Sequence, residues 1–107
     1  MITIRLERGD DRRIVAFAVT GHSGYAKWGN DIVCAGVSAV VQTTILGLQN
    51  VLGIDCIGSQ EDGKLHCALP ADLSPGSAEP ADILLRTMLA GLNALAEAYA
   101  DYVRILD

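Results

Sequence analysis

The chain has 107 residues, 50% of them hydrophobic, with eight Lys and Arg against 13 Asp and Glu, a formal net charge of -5, and three cysteines. That length suits one domain around one core, because domains usually run to about 100–150 residues, and residues 1–107 are read as a single domain. The acidic balance argues against holding a phosphate backbone. The longest run without a charge or amide, Ile32 to Val41, argues against a membrane span, which needs ~20 apolar residues.

Ile2, Ile4 and Leu6 alternate with Thr3, Arg5 and Glu7, the period of a strand with one buried face. No basic end followed by an apolar block and a cleavage site is present, so a cytoplasmic protein is expected. After a turn at Gly9-Asp10-Asp11, Ile14 to Thr20 is apolar on both faces and is expected to be a central strand paired with the first. Three glycines between Gly21 and Asn30 predict a loop with freedom to move. Asn30 or Asp31 then supplies an N-cap, and a nearly charge-free helix, buried on most of its surface, runs to Leu52 before Gly53 ends it.

Ile54 to Gln60 and Lys64 to Leu69 form a predicted hairpin across Glu61-Asp62-Gly63. With Asp62 and Gly63 as the turn residues, Glu61 faces Lys64 and Gly58 faces Cys67. Cys56 becomes a diagonal neighbour of Cys67 on the core face, and His66 points outward to solvent. Pro70 to Pro80 is read as a loop, with Pro80 in the first turn of a second helix. Leu85, Met88, Leu92, Leu95 and Tyr99 form that helix's apolar stripe, and Tyr102 to Leu106 closes the chain as a strand. The order β-β-α-β-β-α-β implies an α+β two-layer sandwich, with two helices packed on one mostly antiparallel sheet.

Cys34, Cys56 and Cys67 show neither disulfide-framework nor metal-ligand spacing. No metal and no cofactor are expected. Cys56 and Cys67 fill the core as small hydrophobes, or else form a redox pair. Cys34 lies in the first turn of the long helix, where unpaired N-H groups and the helix dipole favour a thiolate. The loop is long enough to bring His22 to that helix end, giving a thiolate-imidazolium pair; the bland alternatives are an inert core thiol and an ordinary loop histidine. Asp31 either caps the helix or orients His22 as a third member. Ser38, one turn beyond Cys34, either hydrogen-bonds the sulfur or bonds back to the Cys34 carbonyl. Tyr25 and Trp28 either cover an apolar peptide or anchor the loop to the body of the domain.

The segment from Gly21 to Ala39, GHSGYAKWGNDIVCAGVSA, resembles the signature of the ribosomal-processing cysteine proteases, the Prp family. The specificity of the likeness lies in Gly-His, the glycine-bearing spacer and Asp-Ile-Val-Cys-Ala. In length and element order it extends over the whole chain. Ser23 departs from the pattern, where alanine is more usual; this leaves the His-Cys pair intact and bears on loop packing. The resemblance implies that His22 and Cys34 are catalytic and that Gly21 is a hinge for the loop. It also implies a homodimer that removes a short apolar N-terminal extension, ending in aromatic residues, from a large-subunit ribosomal protein, number twenty-seven.

The expected chemistry is acyl transfer by Cys34 with His22 as proton carrier, the oxyanion being met by N-H groups of the helix start, that of Cys34 included. The loop is expected to be disordered without substrate. Ile57 and the outward residues of the last helix are candidates for a two-fold patch. Two rivals come from other classes: a non-catalytic ribosome-associated interaction domain with an acidic surface, and a redox-sensing thiol domain.

Overall fold

The alternation at the N-terminus yields β1, Ile2–Arg8, and the apolar run after the first turn yields β2, Ile14–Thr20. The computed structural model describes residues 1–27 and 29–107, without the side chain of Ile57; the expectations for Trp28 and for Ile57 in a two-fold patch lie outside the described residues. β1 and β2 pair antiparallel, with Leu6 opposite Phe17 and Ile4 opposite Val19. A bulge shifts the register so that Arg8 meets Ile14, leaving Val15 as the extra residue. The shift lets Ile14 and Phe17, an odd number of positions apart, both reach the core at 1% exposure.

The second hairpin is β3, Ile57–Glu61, and β4, Lys64–Ala68. Gly58 stands opposite Cys67 and Glu61 opposite Lys64, as the Asp-Gly turn dictates. The sheet order is β3-β4-β2-β1-β5, with β2 central as expected. β5, Val103–Leu106, joins β1 as the only parallel pair among these strands. His66 is half-buried, in contrast to the expected exposure, because β4 is flanked on both sides and His66 sits between Ala18 and Ser59.

The first helix, α1, spans Ile32–Leu46 and runs on through a π-helical turn, Gly47–Val51, to Leu52 and the left-handed Gly53. The stretch Ile32–Val51 has a mean hydropathy of 1.6 over its most apolar window, so it has the length and apolarity of a membrane span. The shorter charge-free run measured in the sequence understated this, because glutamines interrupt it without making it polar. Here Val33, Val37, Val41 and Leu48 join the core instead. The expectation that α1 is buried on most of its surface is corrected: Ile32, Leu46 and Val51 are exposed. Only the face on the sheet and the side against the second helix are covered.

The second helix, α2, spans Pro75–Ala98 and begins five residues before the predicted start. Ser74 and Pro75 take the N-cap and first-turn positions assigned to the residues around Pro80, and Pro80 lies inside the helix. Ala81 is fully buried and extends the stripe Leu85, Met88 and Leu92 backwards. The turn before it is helical because the Ser77 and Ala78 N-H groups donate to the Ser74 carbonyl at 3.0 and 2.9 Å. Both helices share one core with the sheet, in the two-layer α+β sandwich the element order implied.

Candidate active site

Asp31 decides how α1 begins. Its backbone is extended, and Oδ1 accepts the N-H groups of Val33 at 3.0 Å and Cys34 at 2.9 Å. Two donors that would otherwise be orphaned at the helix start are thereby satisfied. Oδ2 accepts the Ser23 hydroxyl and, at 3.4 Å, the Ala26 N-H. The capping role is therefore the observed one, and the alternative in which Asp31 orients His22 is corrected, since the bonds Asp31 makes go to other donors.

The same network holds the Asp31 carboxyl at about 2, well below its ordinary 3.8, through the Ser23 hydroxyl first and then the backbone N-H groups of Cys34, Ala26 and Val33. A carboxylate with a depressed folded value stabilises the fold above its unfolded value and loses that contribution as it is protonated. The melting temperature of Asp31→Asn should consequently lie below that of the native chain near neutral pH, with the gap closing as the pH falls from about 4 to about 2. Thermal melts across that range check it, and a constant gap would contradict it.

Cys34 occupies the first turn of α1, as predicted, and is half-buried. The Ser23 N-H donates to its sulfur at 3.4 Å, and the Ser23 hydroxyl oxygen lies 3.6 Å away. Ser23 is 3% exposed, and the Tyr25 N-H donates to its hydroxyl oxygen at 3.2 Å. The position that departs from the usual alanine thus ties loop, cap and thiol together. Its neighbours in sequence hold no sign of this, because the bond to Asp31 depends on how the loop folds back. One expectation changes with it. The Cys34 N-H donates to Asp31 and is not free to meet an oxyanion; the backbone N-H aimed at the sulfur is that of Ser23. Within the loop, the Asn30 N-H also donates to the Lys27 carbonyl at 2.9 Å.

Of the two roles open to Tyr25, the structure shows the anchoring one. Its ring packs edge-on against Tyr99 at 5.8 Å and Tyr102 at 5.2 Å, so it anchors the loop to the end of α2 and the start of β5. It does not line the cleft that holds Cys34. Ser38 does line that cleft and is exposed, while the sulfur finds its partner in Ser23.

His22 follows Gly21, which has φ +87° and whose missing side chain leaves room for the Met1 carbonyl. A Cβ there would collide with backbone, so this position needs glycine for close approach as well as for its left-handed conformation. The Gly21 N-H donates to the Gly63 carbonyl at 2.8 Å, joining the loop to the hairpin tip. The imidazole lies against Gly63: a Cβ on that residue would sit 2.8 Å from Nε2. Nε2 also lies 3.8 Å from Oδ1 of Asp62. Asp62 and Gly63 were read in the sequence only as a turn, and nothing local tied them to His22.

His22 and Cys34 line one cleft of about 870 Å³ between the sheet, α1, the loop and the β3-β4 tip. Its lining includes Val19 and Leu65 from the sheet side, both half-buried, and the core residues Val37 and Val41 from α1, so the apolar surface it offers beside a thiol and an imidazole comes from the sheet side. Such a site can seat an apolar peptide segment next to a nucleophile and a proton carrier. Catalytic hydrogen bonds commonly tighten only once substrate is bound.

The other two thiols are of a different kind. Burial pushes the Cys67 thiol up to about 12, with Cys56 adding to the effect, and burial likewise raises Cys56. Burial thus favours the protonated form of both, as it does for core-filling thiols, and lowers the thiolate fraction that attacks a disulfide. This agrees with the core reading and makes that pair a poor source of a resolving thiolate for a redox-sensing domain.

The family model described as the cysteine protease Prp matches residues 1–104 of this chain. A ribosomal processing cysteine protease Prp from Bacillus subtilis is 30% identical over 107 residues, covering 98% of this chain and 96% of its own. One from Staphylococcus aureus strain Mu50 is 30% identical over 108 residues, with 98% and 97% covered. The crystal structure of the S. aureus protease with a covalently linked product peptide superimposes with a TM-score of 0.89 at 26% identity, covering 99% of this chain and 98% of the other. Its complex with a substrate peptide gives 0.82 at 25% identity, covering 98% and 97%. Whole-length agreement in sequence and fold, around a cleft that holds a thiol and an imidazole, places this chain in the Prp family of ribosomal-processing cysteine proteases.

Proposed function

We propose that this chain, acting as a single-domain cytoplasmic homodimer, removes a short apolar N-terminal extension from a large-subunit ribosomal protein, number twenty-seven. Cys34 is the nucleophile and His22 the proton carrier. The observation that carries the reading is their shared cleft, in which an apolar wall runs alongside the half-buried sulfur. The net charge of -5 suits a basic ribosomal partner. The relatives' names and their peptide complexes support the same substrate class.

In this mechanism His22 takes the proton of the Cys34 thiol, and the sulfur bonds to the scissile carbonyl carbon while the carbonyl electrons move to oxygen. The Ser23 N-H, which donates to the sulfur, stabilises the thiolate that forms when the proton leaves. Collapse of the adduct breaks the C-N bond, and His22 gives its proton to the departing amine. Water then hydrolyses the thioester, losing a proton to His22 and freeing Cys34. The apolar extension occupies the valine- and leucine-lined wall, which holds the carbonyl near the sulfur.

The test is incubation with a synthetic peptide that carries an apolar, aromatic-ended extension followed by a basic segment. Mass spectrometry should show one cut, at the end of the extension. A peptide that stays intact beyond the buffer control would overturn the assignment.

A further inference from the structure

We propose that Asp62, at the tip of the β3-β4 hairpin, is the carboxylate that positions His22, engaging Nε2 so that Nδ1 is the nitrogen that exchanges the proton with Cys34. The inference rests on the reading of His22 and Cys34 as proton carrier and nucleophile, and it names the group that steers the first of them.

Several independent contacts lead to it. Nε2 of His22 is 3.8 Å from Asp62 Oδ1. The ring is seated against Gly63, where a Cβ would stand 2.8 Å from the same nitrogen and would push the imidazole away from the tip. The Gly21 N-H holds the Gly63 carbonyl at 2.8 Å, which fixes the hairpin tip relative to the backbone immediately before His22. Loop and hairpin are therefore joined beside the imidazole. The other charged groups lining the cleft are otherwise placed. Asp31 is bonded to Val33, Cys34, Ser23 and Ala26, and Glu61 and Lys64 stand opposite each other across the hairpin.

A histidine's two nitrogens are distinct, and the partner of one sets the duty of the other. With Nε2-H directed at Asp62, the lone pair on Nδ1 accepts the thiol proton, and the resulting imidazolium keeps its Nε2-H facing the carboxylate. Asp62 remains ionised throughout; it holds the ring and stabilises the cation without taking a proton. Its side chain is 91% exposed in the free protein, where such a pair is weak. A peptide lying in the cleft excludes water from the pair, so its influence is felt in turnover.

Asp62→Asn is the informative variant, because Asn-Gly preserves the hairpin turn. In peptide cleavage its kcat should fall about fivefold with KM unchanged. Asp62→Glu should recover more than half of the native kcat. Asp10→Asn, the same loss of charge in the turn before β2, should cleave like the native chain, and melting temperatures should agree across the set. A native kcat in Asp62→Asn, a deficit confined to KM, an equal loss in Asp62→Glu, or an equal loss in Asp10→Asn would each overturn the role of Asp62. Cys34→Ala in the same assay separates this from the underlying reading: if it still turns over, the nucleophile assignment fails; if it is inactive while Asp62→Asn is normal, only the positioning role fails.

Discussion

Cys34→Ala should lose peptide cleavage by at least about a thousandfold while remaining folded, because no other group in the mechanism can form the acyl intermediate. The sulfur is half-buried at the start of α1, and its hydrogen bonds to Ser23 are the only described contacts of that kind that the change removes. Losing them should cost about 1 kcal/mol and a melting shift of roughly 4–8 °C. The Asp31 cap bonds backbone groups and is untouched, so α1 still begins where it does. Quantified product formation beside a thermal melt reads both quantities. Turnover near the native rate would remove Cys34 from the chemistry, whereas a collapsed melt would give the thiol a structural role that its exposure does not suggest.

Phe17→Ala should destabilise the fold by about 3–5 kcal/mol, a large part of the ~5–15 kcal/mol that holds a domain together. Phe17 sits on the central strand at 1% exposure, opposite Leu6 on one side and Cys67 on the other. Phe17 belongs to the one core shared by the sheet and both helices, so little can move in to fill the void. Ile83→Ala, an equally apolar truncation at 51% exposure on α2, should change stability by no more than about 0.5 kcal/mol. Urea midpoints at unchanged slope measure the two. Similar shifts in both variants would contradict this assignment of inside and outside.

Local chemistry made much of the fold legible. Asp62-Gly63 sets a two-residue turn, and a two-residue turn sets the register, so the pairing of Gly58 with Cys67 followed from the sequence. The placement of Cys34 in the first helical turn followed equally from a single capping residue. Local signals misled where two positions offered the same one. Pro75 and Pro80 both suit a helix start, and the turn closed by the Ser77 and Ala78 N-H groups on the Ser74 carbonyl sets the earlier one. The bulge at Val15 escaped notice because an unbroken apolar run looks the same in either register.

By itself, the sequence determined which residue types could do chemistry here: a thiol at a helix N-terminus, a histidine at the mouth of a glycine loop, and two further cysteines on a separate hairpin. Tertiary structure alone decided what each polar group is committed to. Asp31 spends its oxygens on the helix start and on Ser23, Tyr25 goes to Tyr99 and Tyr102, and Asp62 and Gly63 arrive beside His22 from a distant hairpin. The physical reason is range. Caps, turns and strand periods act over a few residues and can be read along the chain, whereas a side chain's hydrogen-bond and charge partners are settled by which elements pack together.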